Sequence, residues 1–477
     1  MTADRFIVKP QGLMNVRERK PATHHGLRCV AIVALALAAA HPAMAETLES
    51  ALSRAYAANP TLNSNRAALR GVDENVAQAK SGYRPTVSGS ADIGLARNDG
   101  RVQGFNIDNV TRPGGASLTV NQTLFNGFQT DNQTRRAESN VLGTRETLRS
   151  IEMNTLFSAA QAYMFVLSDT ANLELRRNNV EVLEEQLRQT RDRFNVGEVT
   201  RTDVAQAEAR LAGARSDVAQ AEASLRASIG TYRRFIGVEP RQLAPGRPLD
   251  RYVPANLESA MNIGLKEHPQ ILAAMHAVDV AESSVKVFEG QLAPTAGLSG
   301  TVQQRFDGQF PGDRSLNAQI VGRISVPLYE GGLTYSQIRQ AKELVGQRRI
   351  EVEDVRDQIR AGIVRAWGDL EASKAQVIAS QAQVQANEVA LNGVREEARV
   401  GQRTTLDVLN AQQELLTARV NLIVAQRNRV VFSYAMVQTV GRLTVRFTAL
   451  PVATYSPKEH FDQVKDLWFG VRTPDGR

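Results

Sequence analysis

One motif occurs twice in this chain, 204 residues apart, and this duplication constrains the fold more than any other feature. Each copy, at residues 196–211 and 400–416, opens on a Val-Gly pair, and only Gly adopts the left-handed backbone of a helix end at low cost. A Thr-x-x-Asp sequence follows, which is typical of the first turn of a new helix because both side chains can bond its free N–H groups. The motif therefore predicts two tight turns between helices.

The same offset extends far beyond the turns. Gly237 corresponds to Gly441, and the Leu-Phe-Asn-Gly sequence at 124–127 corresponds to Leu-Tyr-Glu-Gly at 328–331. The period of about 200 residues is too long for a solenoid repeat. We predict a first repeat at 46–237, a linker with four prolines at 238–254, a second repeat at 255–441, and a tail at 442–477 that packs outside the helices.

The first 45 residues have the features of a secretory signal peptide. Several cations precede an apolar run at 29–40, and Ala43-Met44-Ala45 predicts cleavage before Glu46, whether translation starts at Met1 or Met14. The single cysteine, Cys29, would leave with this segment, so neither a lipid-anchored Cys nor a disulfide is expected in the mature chain. No later stretch of about 18 apolar residues occurs, which excludes a helical membrane protein.

Charge and chemistry-bearing residues exclude several classes of function. The formal net charge is +7, and the signal peptide, with six cations and two acids, accounts for +4 of it. The mature chain is therefore near +3, and its charges are interspersed, so no nucleic-acid partner is expected. None of the histidines of the mature chain lies beside another potential ligand at the spacing of a metal site. No nucleophile elbow or phosphate loop is present, so the sequence predicts no enzyme, no cofactor and no resident metal.

Four stretches alternate between small apolar and polar residues, at 87–95, 116–124, 295–302 and 316–326. Runs of about ten residues with this period have the length of a membrane-spanning strand. Residues 98–115, rich in Gly, Asn and Asp, are predicted to be a long loop. Four strands cannot close a barrel and lipid does not tolerate open edges, so strands that span a membrane must be pooled from several chains.

Two long helical segments follow the strand pairs, at 130–195 and 333–399, and each would reach roughly 100 Å if continuous. Apolar residues recur in them at every seventh position, which predicts coiled-coil packing. Ala-rich returning helices are predicted at 202–237 and 404–441. The apolar series are Val166, Leu173, Val180, Leu187 and Phe194, and then Leu370, Val377, Val384, Leu391 and Ala398.

Taken together, the repeated order of helix, strand pair and long helical hairpin resembles the TolC family of outer-membrane efflux proteins. The matching motifs are Val400-Gly401-x-Arg403-Thr404-x-x-Asp407-Val408-Leu409-x-Ala411-Gln412 and Pro327-Leu328-Tyr329-Glu330-Gly331-Gly332. The resemblance covers essentially the whole mature chain. It implies an α+β membrane protein in which a homotrimer forms a 12-stranded β-barrel, four strands per chain, continued by a long α-helical coiled-coil tunnel.

The resemblance also implies a location and partners. The protein would lie in the outer membrane lipid of a Gram-negative bacterium and extend into the periplasm. It would be the passive exit duct of a tripartite efflux or type I secretion system, served by a periplasmic adaptor (membrane fusion) protein and an inner-membrane pump of RND, MFS or ABC type. The sequence leaves open which pump is served and whether the cargo is drugs, other small molecules or a secreted protein.

A few positions match functional residues of the family at the periplasmic mouth. Asp407 matches the carboxylate that lines the constriction, whereas Asn410 stands where TolC itself has a second aspartate and Ala398 where an aromatic residue helps to latch the mouth. A ring of three Asp407 side chains would bind divalent cations that block the resting channel. The remaining matches are Arg403 and Asp203 in the polar network of the gate, and Val196, Gly197, Val400 and Gly401 in the turns that contact the adaptor.

Simpler interpretations stand beside these. Helix capping alone explains Asp203 and Asp407, and Arg403 could be a solvated turn residue. The alternative function is a periplasmic or surface coiled-coil scaffold without a pore. The four strands of bilayer length favour the duct, because a scaffold has no need for them.

Overall fold

The computed structural model describes residues 45–102, 104–308 and 310–476. Residues 1–44 of the predicted signal peptide therefore lie outside the described residues. Strands and helices follow the chain in two similar series. The first series is α1 (Leu48–Ala58), α2 (Pro60–Lys80), β1 (Thr86–Ile93), β2 (Ala96–Val102), β3 (Phe105–Thr111), β4 (Gly114–Asn126), α3 (Gln129–Asn195) and α4 (Arg201–Ile236). The second is α5 (Leu257–Glu267), α6 (Pro269–Gly290), β5 (Thr295–Phe306), β6 (Arg314–Ser325), α7 (Leu333–Arg399) and α8 (Thr405–Thr439), followed by α9 (Val445–Thr448) and α10 (Pro457–Val464).

Four strands form one antiparallel sheet in the order β1-β4-β5-β6. Each strand is joined directly to a long helix, because α2 leads into β1, β4 into α3, α6 into β5 and β6 into α7. These helices pack side by side in the same order, α2 on α3, α3 on α6 and α6 on α7. The sheet is thus continued by a layer of four helices, which is the arrangement that the family resemblance implied for each chain of a barrel and tunnel.

The sheet has one apolar and one polar face, as the alternation predicted. The register places Val87 opposite Val120, Leu118 opposite Val302, and Gly300 opposite Ile320 on one face. Near the helix end, a register shift after Thr123 turns Phe125 to this face, opposite Ala296. The polar face carries an Oγ–Oγ hydrogen bond of 2.8 Å between Ser90 and Ser117 and an ion pair of 3.9 Å between Asp92 and Arg305.

The prediction of a loop at 98–115 was wrong. Strands β2 and β3 form a hairpin there, with Ala96 opposite Thr111 and Arg97 opposite Val110. Polar cross-strand contacts support it, since Arg97 pairs with Asp108 at 3.2 Å and Arg101 Nε donates to Asn106 Oδ1 at 2.8 Å. The short alternation Phe105-Asn106-Ile107-Asp108 is a sequence signal for this hairpin, but the Gly, Asn and Asp residues around it favoured a loop.

The helices match the predicted segments closely. Asn59 separates α1 from α2 as expected, and its Oδ1 accepts hydrogen bonds from the N–H groups of Thr61 and Leu62. Both α3 and α7 have 67 residues, about 100 Å at 1.5 Å per residue. The apolar series is mostly buried or half-buried, but Phe194 at the end of α3 is exposed. Within the described residues, no helix is long and apolar enough to cross a membrane.

The largest core lies midway along the helices. It joins α1, α2, the middle of α3 and the ends of α4 and α8, with Tyr163 and Tyr232 fully buried. Part of the tail belongs to this core, because Leu443, Val445 and Leu450 are buried in it. Further on, α10 packs on α2, where His460 Nδ1 lies 3.0 Å from Oδ2 of the buried Asp73. The tail is therefore partly a component of the core and partly an outer layer on α2.

Candidate functional site at the helical hairpin ends

The two predicted turns have the same backbone structure. Gly197 and Gly401 both have left-handed φ values, of 79° and 81°. In the first turn, Gly197 N–H donates to Phe194 O at 2.9 Å and Glu198 N–H donates to Arg193 O at 2.9 Å. The second turn has the equivalent bonds from Gly401 to Ala398 and from Gln402 to Glu397. These are the two bonds of a Schellman motif, so the glycines are explained by the backbone that the turn requires.

Valine side chains stand at the very end of each hairpin. Val196 is 72 % exposed and Val400 is 71 % exposed. No heavy atom lies within 4 Å of the position where a Cβ would stand on Gly197 or Gly401. The turns therefore present an open, partly apolar surface at the end of the molecule farthest from the sheet.

The next helix in each hairpin begins with a complete capping box. Thr404 Oγ1 accepts a hydrogen bond from Asp407 N–H at 3.2 Å, while Asp407 Oδ2 accepts from Thr404 N–H and from its hydroxyl, both at 2.9 Å. Thr200 and Asp203 repeat this arrangement. Accepting these hydrogen bonds lowers the pKa of both carboxyl groups below the ordinary value. The largest contribution comes from the Thr404 backbone N–H for Asp407 and from the Thr200 hydroxyl for Asp203.

The capping interpretation of both aspartates is thus confirmed, and it leaves room for a second role. One oxygen of Asp407 is used by the cap, and the side chain remains partly exposed at the tip. A negative charge is held there at neutral pH, because accepting two hydrogen bonds favours the ionised form.

Within the chain, Arg403 pairs with Glu397. Its Nε donates to Glu397 Oε2 at 2.8 Å, on the last turn of α7, and this carboxylate, followed by Asp407, raises the pKa of Arg403. The arginine therefore lies exposed at the tip, as the simpler interpretation has it, and its ion pair joins the turn to the preceding helix. Glu397 escaped sequence analysis because it lies outside the turn motif.

Asn410 connects the two hairpins. Arg210 Nη2 on α4 donates to Asn410 Oδ1 on α8 at 2.8 Å. Beside it, Leu409 is only 2 % exposed and packs among Leu183, Leu187 and Leu211 of the first hairpin. Leu409 belongs to the turn motif, but the sequence carried no sign of its packing partners or of the Arg210–Asn410 bond, because the partners lie about 200 residues away along the chain.

In each hairpin, an ion pair at corresponding positions of the two repeats also joins the two helices. Arg215 Nη2 lies 2.7 Å from Glu184 Oε1 in the first, and Arg419 Nη2 lies 2.7 Å from Glu388 Oε1 in the second. The offset of 204 residues thus extends to individual side-chain contacts. In the part of the chain that the structure describes, no group of three or more His, Cys, Asp or Glu is placed to hold a metal ion.

Comparison with known proteins agrees with this architecture. The sequence pattern of the family described as "Outer membrane efflux protein" matches residues 51–237 and 261–442. The chain is 43 % identical over 437 residues to the outer membrane efflux protein BepC of Brucella suis, covering 91 % of this chain and 94 % of BepC. It is 26 % identical over 412 residues to the outer membrane protein TolC of Escherichia coli, covering 80 % and 81 % of the two chains.

Among solved structures, the CmeC outer membrane channel of Campylobacter jejuni superposes with a TM-score of 0.76 at 15 % identity, covering 88 % of this chain and 89 % of CmeC. The predicted resemblance is confirmed, and the scaffold alternative finds no support among these relatives. The chain belongs to the outer membrane efflux protein family, and it is an exit duct of the bacterial outer membrane with a barrel continued by a helical tunnel.

Proposed function

We propose that three copies of the chain close the duct, each contributing the repeats 46–237 and 255–441 joined by the linker 238–254. The carrying observation is the position of β1 and β6, which end the sheet and pair with no further strand among the described residues. Apolar side chains such as Ile320 and Ile324 on β6 are exposed. An unpaired strand edge in lipid would cost several kcal/mol for each backbone group. Trimerisation places β6 of one chain beside β1 of the next.

The mass of the detergent-solubilised protein tests this proposal. We expect a species of three chains that keeps its strand content. A folded species of single-chain mass would contradict it. A cysteine pair engineered on β1 and β6 provides a second test, because the mature chain contains no native cysteine. Crosslinks should then join different chains and produce a covalent ladder that ends at three.

The hairpin ends are the surface on which we place the partners. Val196, Gly197, Val400 and Gly401 would contact a periplasmic adaptor, which couples the duct to an inner-membrane pump of the RND, MFS or ABC type. The exposed valines and the open space around both glycines support this assignment. The protein would act passively, without catalysis. A deletion strain compared for drug sensitivity and for secreted proteins would distinguish the two kinds of cargo.

We further propose that Asp407, Arg403, Asp203 and Asn410 hold the mouth in its resting state. With three chains around one axis, the Asp407 carboxylates would form an anionic ring, and Asn410 would add no charge to it. Carboxylate oxygens are preferred ligands of divalent cations. Divalent ions entering from the periplasmic side would then obstruct the resting current.

Planar-bilayer recordings of purified trimers test the ring. Asp407→Asn removes the charge, keeps the size of the side chain and should abolish divalent block. Thr404→Ala is the matched control, because it weakens the same cap while leaving the carboxylate in place, so block should persist. Equal block in the wild type and in Asp407→Asn would show that this aspartate serves only as a cap.

A further inference from the structure

The C-terminal aromatic segment, residues 467–471, leaves large apolar side chains uncovered. Trp468 is 66 % exposed, Phe469 is 90 % exposed and Val471 is fully exposed, with Leu467 nearly half exposed beside them. Single exposed apolar residues are normal on a protein surface, but a contiguous group marks an interaction site. The channel architecture assigns no role to this segment.

Specific contacts hold this segment at one place on the molecule. Lys80 Nζ at the end of α2 lies 2.6 Å from Asp466 Oδ1. Arg84 Nη1 donates to Leu467 O at 2.5 Å, and the Arg84 guanidinium lies 4.7 Å from the centre of the Trp468 ring. One turn earlier, Val464 is fully buried. The Trp468 ring is therefore held beside the junction of α2 and β1, against Arg84, two residues before the first strand begins.

Other aromatic residues mark the same level of the molecule. The helix ends of the sheet strands are the start of β1, the end of β4, the start of β5 and the end of β6. Exposed aromatic side chains around this level are Tyr83, Phe125, Phe128, Tyr329 and Tyr335. Membrane barrels carry girdles of aromatic residues where their apolar band meets the lipid headgroups. This level is therefore the periplasmic boundary of the outer membrane.

We infer that the C-terminal aromatic segment inserts Trp468 and Phe469 into the periplasmic leaflet of the outer membrane and acts as an interfacial anchor for each chain. The occupant of the exposed patch is phospholipid, because the patch continues the aromatic boundary of the strands. Arg84 stacks on the Trp468 ring and Arg472 follows the segment in the chain, so two cationic residues accompany the patch. A tryptophan ring suits this position, since its apolar body enters lipid while its N–H stays near water.

The chain offers a direct test because it has only two tryptophans. Trp367→Phe leaves Trp468 as the sole fluorophore. Trp468→Phe leaves Trp367, which lies in α7 34 residues after Leu333 and so roughly 50 Å from the start of that helix. In liposomes containing lipids with a quencher at a shallow or a deep chain position, Trp468 should be quenched strongly, and more by the shallow quencher. Trp367 should show little quenching by either.

Two outcomes would overturn the inference. Quenching of Trp468 that is no greater than that of Trp367 would place the segment away from lipid. A blue-shifted Trp468 emission that no lipid quencher reduces would show that a neighbouring chain covers the ring. Trp468 is exposed outside the core, and Trp367→Phe keeps an aromatic ring at a half-buried position beside buried core residues, so both variants should fold. Their trimer mass in detergent checks this independently of fluorescence.

Discussion

Gly401 allows the backbone requirement of the turn to be measured separately from crowding. Its φ is 81°, and a Cβ placed there would meet no atom within 4 Å. Gly401→Ala therefore introduces a left-handed alanine and no clash, at a cost of about 1 kcal/mol. A loss of about 1 kcal/mol corresponds to about a fivefold shift in the equilibrium between the folded and the locally unfolded turn.

Two further glycines provide matched controls. Gly393 lies inside α7, also with no atom within 4 Å of an added Cβ, so Gly393→Ala should stabilise the helix by about 1 kcal/mol. Gly441 has a φ of 86°, and its added Cβ would lie 2.9 Å from His268 Cα. Gly441→Ala should therefore cost more than Gly401→Ala, because crowding against backbone adds to the strain.

Amide hydrogen exchange on the purified trimer, followed in peptides that cover residues 391–408 and, for Gly441→Ala, the end of α8, measures these changes locally. We expect about fivefold faster exchange at the turn in Gly401→Ala and slower exchange within the helix in Gly393→Ala. Gly401→Asn should fall between the wild type and Gly401→Ala, since Asn tolerates left-handed backbone. If Gly401→Ala exchanges at the wild-type rate, the turn is not held in the left-handed conformation and the argument fails.

Three further perturbations address the hairpin ends. Leu409→Ala should destabilise the contact between the hairpins by roughly 3 kcal/mol, because the side chain is only 2 % exposed. Leu406→Ala, at a partly exposed position, should cost far less. Hydrogen exchange of peptides from residues 180–190 measures both effects. Arg210→Ala removes the bond to Asn410 and should raise the resting conductance and the entry of bulky antibiotics. Arg226→Ala on the same helix is the control and should change neither. Unaltered conductance in Arg210→Ala would refute a gating role for this contact. The pKa values of Asp203 and Asp407 are lowered by folding, so their capping contribution is complete above the ordinary value of 3.8 and is lost as pH falls through the folded-state pKa. Exchange at both turns, corrected for intrinsic rates, should rise below that pH, and Thr404→Ala should show a weaker pH dependence at the second turn.

Local patterns of residues were enough to predict several features of this fold. A Val-Gly pair followed by Thr-x-x-Asp specifies a helix end and a helix start within nine residues, and the structure has both, twice. Alternation specified the four strands of the sheet, since side chains on opposite faces meet lipid and water. The duplication made each prediction twice, which is why the bounds of the long helices agree so closely with the structure.

The contacts between distant groups, in contrast, depend on how the helices pack. Glu397 pairs with Arg403 because the turn folds back on the last turn of α7, and Arg210 reaches Asn410 because the two hairpins pack together. The β2–β3 hairpin is rich in Asn and Asp, which favoured a loop, and the pairing of its two strands appears only in the structure. The C-terminal aromatic segment reaches the edge of the sheet through Lys80 and Arg84, nearly 400 residues earlier in the chain. Such pairings depend on where whole helices lie, and no local pattern encodes that placement.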